Sequence, residues 1–73
     1  MAISYNNLWK LLIDKGLNKG DLRNMTGISS STVAKMTNGE AVTLTVIEKI
    51  CNKLNCRIEE VVEIKNDDKD ILD

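Results

Sequence analysis

The sequence predicts an all-α domain of five short helices. Three observations predict it. Apolar residues recur at helical spacing along most of the chain. Short polar residues suited to helix N-caps stand just before several of those stretches, at Asn18, Ser29 and Thr43. The 73 residues contain no Pro or Phe and only one Trp and one Tyr, so the core must be built from Leu, Ile, Val, Met and Ala. A chain of this length forms one domain with a modest core.

The first helix is expected from about Asn6 to Lys15. Leu8, Leu11, Leu12 and Lys15 follow an i, i+3, i+4, i+7 pattern, with Trp9 and Ile13 widening the apolar face. Gly16 suits a left-handed C-terminal position, and Leu17 closes the contact beyond it. The second helix begins at Asn18, with Asp21 placed for a capping box and Leu22 and Met25 facing inward, and ends at Thr26-Gly27. The third begins at Ser29, turns Val33 and Met36 inward, and ends at Asn38-Gly39. The fourth begins at Thr43, carries the stripe Val46, Ile47, Ile50, Cys51 and Leu54, and ends at Asn55. The fifth is expected from Ile58 to Ile64 on Ile58, Val61 and Val62, with a strand over Val61–Lys65 as the alternative because these residues are β-branched. Residues 1–65 make the domain, and 66–73 an acidic flexible tail in which Ile71 and Leu72 offer a contact point.

Net charge is −1, but it is unevenly spread. Residues 1–38 hold Lys10, Lys15, Lys19, Arg23 and Lys35 against Asp14 and Asp21, a net of +3. Residues 39–73 carry the balance of −4. The basic half suits an anionic partner while the acidic half faces away.

The informative stretch is Asn18 to Asn38, NKGDLRNMTGISSSTVAKMTN. Two helices meet at the tight turn Thr26-Gly27-Ile28, where Gly27 permits a left-handed backbone. Leu22, Ile28, Val33 and Met36 point inward to lock one helix on the other, and Ser29 caps the second. This is the pattern of a helix-turn-helix.

With Leu22, Gly27-Ile28-Ser29, Val33, Gly39 and the later Leu54-Asn55-Cys56 and Ile58-Glu59-Glu60-Val61, the chain resembles the Cro/C1-type (XRE-like) helix-turn-helix family from about Ile3 to Val62. The opening Ser4-Tyr5-Asn6-Asn7-Leu8-Trp9-Lys10-Leu11-Leu12 resembles a subgroup of small stand-alone members from Gram-positive bacteria and mobile elements that includes the VanU-type regulators. The resemblance implies a five-helix Cro/C1 repressor-like fold with motif 18–38 and recognition helix about 29–38. It also implies a sequence-specific DNA-binding transcriptional regulator, a repressor by operator occupancy. The sequence departs from the family in four places. Arg23 follows Leu22 where Ala is usual, and Lys19 stands where Gln often bonds phosphate. Leu12 and Thr37 occupy the positions of a frequent Arg–Glu pair, which predicts an apolar contact there. The loop Gly39-Glu40-Ala41-Val42 is not basic.

The family places the second motif helix in the major groove. On that helix Ser30, Ser31, Ala34 and Lys35 are the expected base contacts, with Lys35 suited to guanine and Ala34 to a thymine methyl. Lys19, Ser29, Asn38 and Thr43 are the expected phosphate contacts, because helix N-termini and polar side chains bind phosphate. Double-stranded operator DNA is the expected partner. A homodimer through the C-terminal helices, from Cys51 to Ile64, would read an inverted repeat.

The inventory argues against an enzyme. There is no His, no nucleophile beside an evident base and no glycine-rich phosphate loop. Cys51 and Cys56 lack the spacing and extra ligands of a zinc site, so neither metal nor cofactor is expected. No signal peptide and no membrane span is evident, which predicts a cytoplasmic protein with inert, reduced thiols. The competing reading is a protein-interaction module of the same fold, an antitoxin or an adaptor for a larger regulator, with weak or no DNA binding.

Overall fold

Among the described residues, three of the four α-helices start where a short polar side chain takes up a free backbone N–H. Asn18 Oδ1 accepts from the Asp21 N–H at 2.8 Å, and the Asp21 carboxylate accepts in return from the Asn18 N–H at 3.0 Å. Ser29 Oγ accepts from Thr32 N–H at 3.1 Å and Thr43 Oγ1 from Val46 N–H at 3.3 Å. A computed structural model describes residues 2–65 of the chain. The order is β1 (Ala2–Ser4), α1 (Asn6–Asp14), α2 (Lys19–Thr26), α3 (Ser30–Thr37), α4 (Leu44–Leu54), a 3₁₀ turn (Ile58–Glu60) and β2 (Glu63–Lys65). The expected acidic tail, 66–73, lies outside the described residues.

The predicted stripes form the core. Leu8 and Leu12 of α1, Leu22 of α2, Ile28 of the turn, Met36 of α3 and Ile47, Ile50 and Leu54 of α4 are all buried. Trp9, Leu11, Met25, Val33, Val46 and Cys51 pack against them in part. Ile13 does not join. It is 74% exposed, because it sits about 100° around the helix from Leu12 and so faces away from the core.

The fifth helix is not formed. Residues Ile58–Glu60 make one 3₁₀ turn, closed by Glu60 N–H to Arg57 O and Val61 N–H to Ile58 O, at 3.0 and 2.9 Å. The chain then extends into β2, which pairs antiparallel with β1, Ile3 opposite Ile64 and Ser4 opposite Glu63. The expected helix had Ile58, Val61, Val62 and Ile64 in seven residues, and β-branched side chains lose rotamer freedom in a helix. Pairing with β1 engages the backbone of Glu63–Lys65 without that loss. Val61 is fully buried, whereas Ile58 and Ile64 are exposed. Among the described residues the architecture is therefore four α-helices with a small two-stranded ribbon. No helix among the described residues is long and apolar enough to cross a membrane.

The turn between α2 and α3 sets the angle at which α3 leaves the core. Gly27 has φ +75° and its N–H donates to Arg23 O at 2.8 Å. The buried Thr26 hydroxyl donates to Leu22 O at 2.7 Å and accepts from Ile28 N–H at 3.4 Å. A Cβ at Gly27 would meet nothing within 4 Å, so the demand for glycine is conformational and not steric. Gly27→Val is expected to lower stability by about 1–2 kcal/mol. Gly27→Asn, which tolerates the left-handed region, is expected to lose less. Thermal melts of the two variants check this; equal losses would point to crowding at the turn instead.

Candidate nucleic-acid interface

α3 presents its outward face because only its inward face is apolar. Met36 is buried and Val33 half-buried, while Ser30, Ser31, Ala34 and Lys35 are all exposed. The four expected base contacts thus share one short-armed, accessible surface. Of the expected phosphate contacts, Ser29, Asn38, Lys19 and Thr43 are likewise exposed. Ser29 is already committed as the cap of α3, and its hydroxyl also meets Ser31 Oγ and Thr32 Oγ1 at 2.9 Å each. Asn38 closes the other end of α3.

Two shallow clefts flank the helix. One, of about 220 Å³, is lined by Lys19, Gly20, Arg23, Ser30 and Val33, and so joins the start of α2 to the start of α3. The other, of about 380 Å³, is lined by Thr32, Lys35, Ala41, Val42, Thr43 and Val46, and joins α3 to the start of α4. Each cleft therefore meets a capped helix start and a basic side chain, Lys19 with Arg23 or Lys35. Fixed N–H dipoles beside cationic side chains attract phosphate.

Lys19 is held in place from two sides. Its Nζ donates to Thr37 Oγ1 at 3.0 Å and lies 4.3 Å from the centroid of the Trp9 ring. A cation over an indole at the surface contributes about 0.5–1 kcal/mol. The Thr37 hydroxyl donates onward to Val33 O at 3.0 Å, which leaves its lone pairs facing Lys19. A polar tie between α1, α2 and α3 thus stands where an apolar contact of Leu12 with Thr37 was expected. Leu12 is buried and Thr37 is exposed, so Thr37 engages the cation within its reach. Sequence spacing gave no sign of this, since Trp9, Lys19 and Thr37 lie on three separate helices.

The loop after α3 is pinned by Tyr5. Its hydroxyl donates to the Glu40 carbonyl at 2.7 Å, across 35 residues. Gly39, with φ +76°, passes so close to β1 that a Cβ there would stand 3.3 Å from Ile3 O. The Glu40 carboxylate is left exposed. Burial raises the Tyr5 phenol pKa above its ordinary value of 10.0, and a backbone contact with Val42 opposes the shift only in part. Burial, together with the adjacent Cys51 and the charge of Glu60, pushes the Cys56 thiol up to about 11, with Lys15 opposing. Its thiolate is scarce at neutral pH, which makes it a poor nucleophile.

The chain matches the family model of the Cro/C1-type helix-turn-helix DNA-binding domain over residues 7–67. It is also similar to a solved structure, the crystal structure of transcriptional regulator VanUg, Form II, with 50% sequence identity and a TM-score of 0.83. That likeness covers 85% of this chain and 83% of the other. No curated protein matches.

The buried Tyr5 is the only tyrosine, so its ionisation can be followed by ultraviolet absorbance. The midpoint is expected above 10.0 in the folded chain. The fold favours the protonated phenol, so its contribution is fully present below pH 10 and is lost as pH rises through the folded value. Tyr5→Phe is expected to lower stability at neutral pH by about 0.5–1.5 kcal/mol and to lose less on going alkaline. A midpoint at or below 10 would mean that the hydroxyl is open to water.

Proposed function

Because the chain belongs to the Cro/C1-type helix-turn-helix DNA-binding domain family, we propose that it is a cytoplasmic, sequence-specific transcriptional regulator that represses by occupying operator DNA as a homodimer. The observation that carries this is the outward face of α3, where small side chains surround one basic residue between two helix starts. In this reading α3 lies in the major groove. Lys35 reads a guanine edge, Ser30 and Ser31 bond base edges, and Ala34 packs on a thymine methyl. Lys19, Ser29, Asn38 and Thr43 grip the flanking backbone, and Arg23 adds attraction from the edge of the cleft it shares with Lys19. The short arms of Ser30, Ser31 and Ala34 let the helix approach closely, which compensates for a thin supply of positive charge.

Dimerisation through the stretch from Cys51 to Ile64 leaves that face free. Exposed Ile58 and Ile64 give this stretch apolar area to bury. Two copies then read two half-sites of an inverted repeat.

Fluorescence anisotropy of the chain on DNA from upstream of its own gene, at low and moderate salt, tests the reading. With Lys19 and Arg23 near the backbone, the slope of log affinity against log salt is expected to be about −2 per domain. Lys35→Ala is expected to lose about 1–3 kcal/mol and to relax preference at one base pair. Unchanged affinity and preference would remove Lys35 from base reading. The exposed Glu40 and the net charge of −1 favour a second reading, a scaffold for a protein partner. Absence of binding even at low salt would support it over the first.

A further inference from the structure

The chain has two cysteines, Cys51 and Cys56, and the fold brings them together. Cys51 lies in the last turn of α4. Cys56 comes directly after Asn55, which ends that helix in the left-handed region at φ 52°. The reversal at Asn55 folds the chain back over the helix end. The Cys51 carbonyl accepts from the Asn55 N–H and, at 3.1 Å, from the Cys56 N–H. This is the bonding of a Schellman-type helix end, in which the side chains at the two ends of the bond meet. Here the Cys56 S–H donates to the Cys51 sulfur. Both residues are half-buried against the core, and both thiols are free.

An apolar contact is what such a helix end ordinarily carries at these positions, and two aliphatic side chains would supply it. Two thiols add a reaction. A disulfide needs α-carbons about 4.4–6.8 Å apart. The bond from the Cys56 amide to the Cys51 carbonyl already holds theirs within about 7 Å, whatever its angles. Closure therefore happens across a helix end that has already formed.

We propose that Cys51 and Cys56 form a redox-active dithiol, which small-molecule disulfides oxidise to an intramolecular bridge across the end of α4. The Cys51 thiolate attacks one sulfur of the small disulfide, giving a mixed disulfide and one released thiolate. The Cys56 sulfur then attacks Cys51 Sγ, the bond to the small thiol breaks, and the second small thiolate leaves. The two protons of the cysteine pair pass to the two released thiolates. The two electrons have reduced the small disulfide to two thiols.

The order of attack follows from the surroundings. Burial, the neighbouring Cys51 and the charge of Glu60 keep the proton on Cys56, with Lys15 opposing. The first attack therefore falls to Cys51. In the mixed disulfide Cys51 carries no charge, so one of the influences that holds the Cys56 proton is gone. A thiolate of high pKa is also the stronger nucleophile once formed.

The bridge ties α4 to the chain that runs through the 3₁₀ turn to the fully buried Val61. It restrains the unfolded chain, so it stabilises the domain, and by linkage the folded domain favours the bridge.

Mass spectrometry of the full chain incubated with oxidised glutathione tests the proposal, and no readout involves DNA. The expected product is a monomer lighter by two hydrogen atoms. It keeps its circular dichroism, melts above the reduced chain and returns to the original melt on reduction. In matched glutathione buffers the ratio of bridge to dithiol is expected to be about tenfold higher in the folded chain than in urea. Cys56→Ser is expected to stop at a glutathione adduct on Cys51, and Cys51→Ser to take up glutathione several times more slowly. An unchanged mass, a lasting adduct on the unaltered chain or a covalent dimer overturns the proposal and leaves the thiols as packing groups. So does a ratio no higher in the folded chain than in urea, which would mean that the fold opposes closure. Faster uptake by Cys51→Ser than by Cys56→Ser overturns the order of attack. The result on the unaltered chain decides the bridge whether or not either variant folds.

Discussion

One buried side chain, Met36, seats the helix on which the function depends. α3 has eight residues, and Met36 is the one that is fully covered. Truncating such a residue typically costs about 2–5 kcal/mol, more than any single cap or turn contact in the domain supplies. A single anchor fixes depth but not direction. Direction comes from both ends of the helix. Gly27 and the Thr26 hydroxyl set the entry, the Ser29 cap holds the first turn, and the Tyr5 hydroxyl fixes the exit through the Glu40 carbonyl. Each contact uses backbone groups or inward atoms. The outward face is left with no structural duty beyond the Ser29–Ser31 hydroxyl contact.

That division explains how a chain of net charge −1 belongs to a DNA-binding family. Charge is not abundant; it is placed. Lys19 is held over Trp9 and against Thr37 beside the start of α2, and Lys35 stands in the cleft shared with the start of α4. Helix dipoles supply fixed partial charge that needs no extra lysines. The acidic residues fall mostly after residue 39, so they weigh on the net charge more than on the face of α3.

The four α-helices and most of the core were legible in the sequence, because Asn18, Ser29 and Thr43 cap locally and Leu8, Leu12, Ile47, Ile50 and Leu54 repeat locally. Gly27 was legible for the same reason, since a tight turn between two periodic segments demands a left-handed residue. What escaped depends on partners distant in sequence. β1 has three residues, too few for a period, and exists because β2 lies beside it. The same pairing removed the fifth helix, where the β-branched run had already raised a strand as the alternative. Tyr5 gave no local sign of its bond to residue 40, and the Trp9–Lys19–Thr37 tie joins three helices. Within the candidate site, the exposure of Ser30, Ser31, Ala34 and Lys35 followed from the inward positions of Val33 and Met36 alone.

The face of α3, with the helix starts beside it, is the surface proposed to meet DNA. Mapping of backbone amide shifts by nuclear magnetic resonance, as DNA from upstream of the gene is added at low salt, tests it most directly. The largest changes are expected on Ser29–Asn38, on Lys19 and Gly20 at the start of α2, and on Thr43 and Leu44 at the start of α4. Amides from Cys51 to Val61 should change least in their contact with DNA. Changes centred on that C-terminal stretch, with α3 unmoved, would rule out DNA reading by α3 and assign its face to another partner.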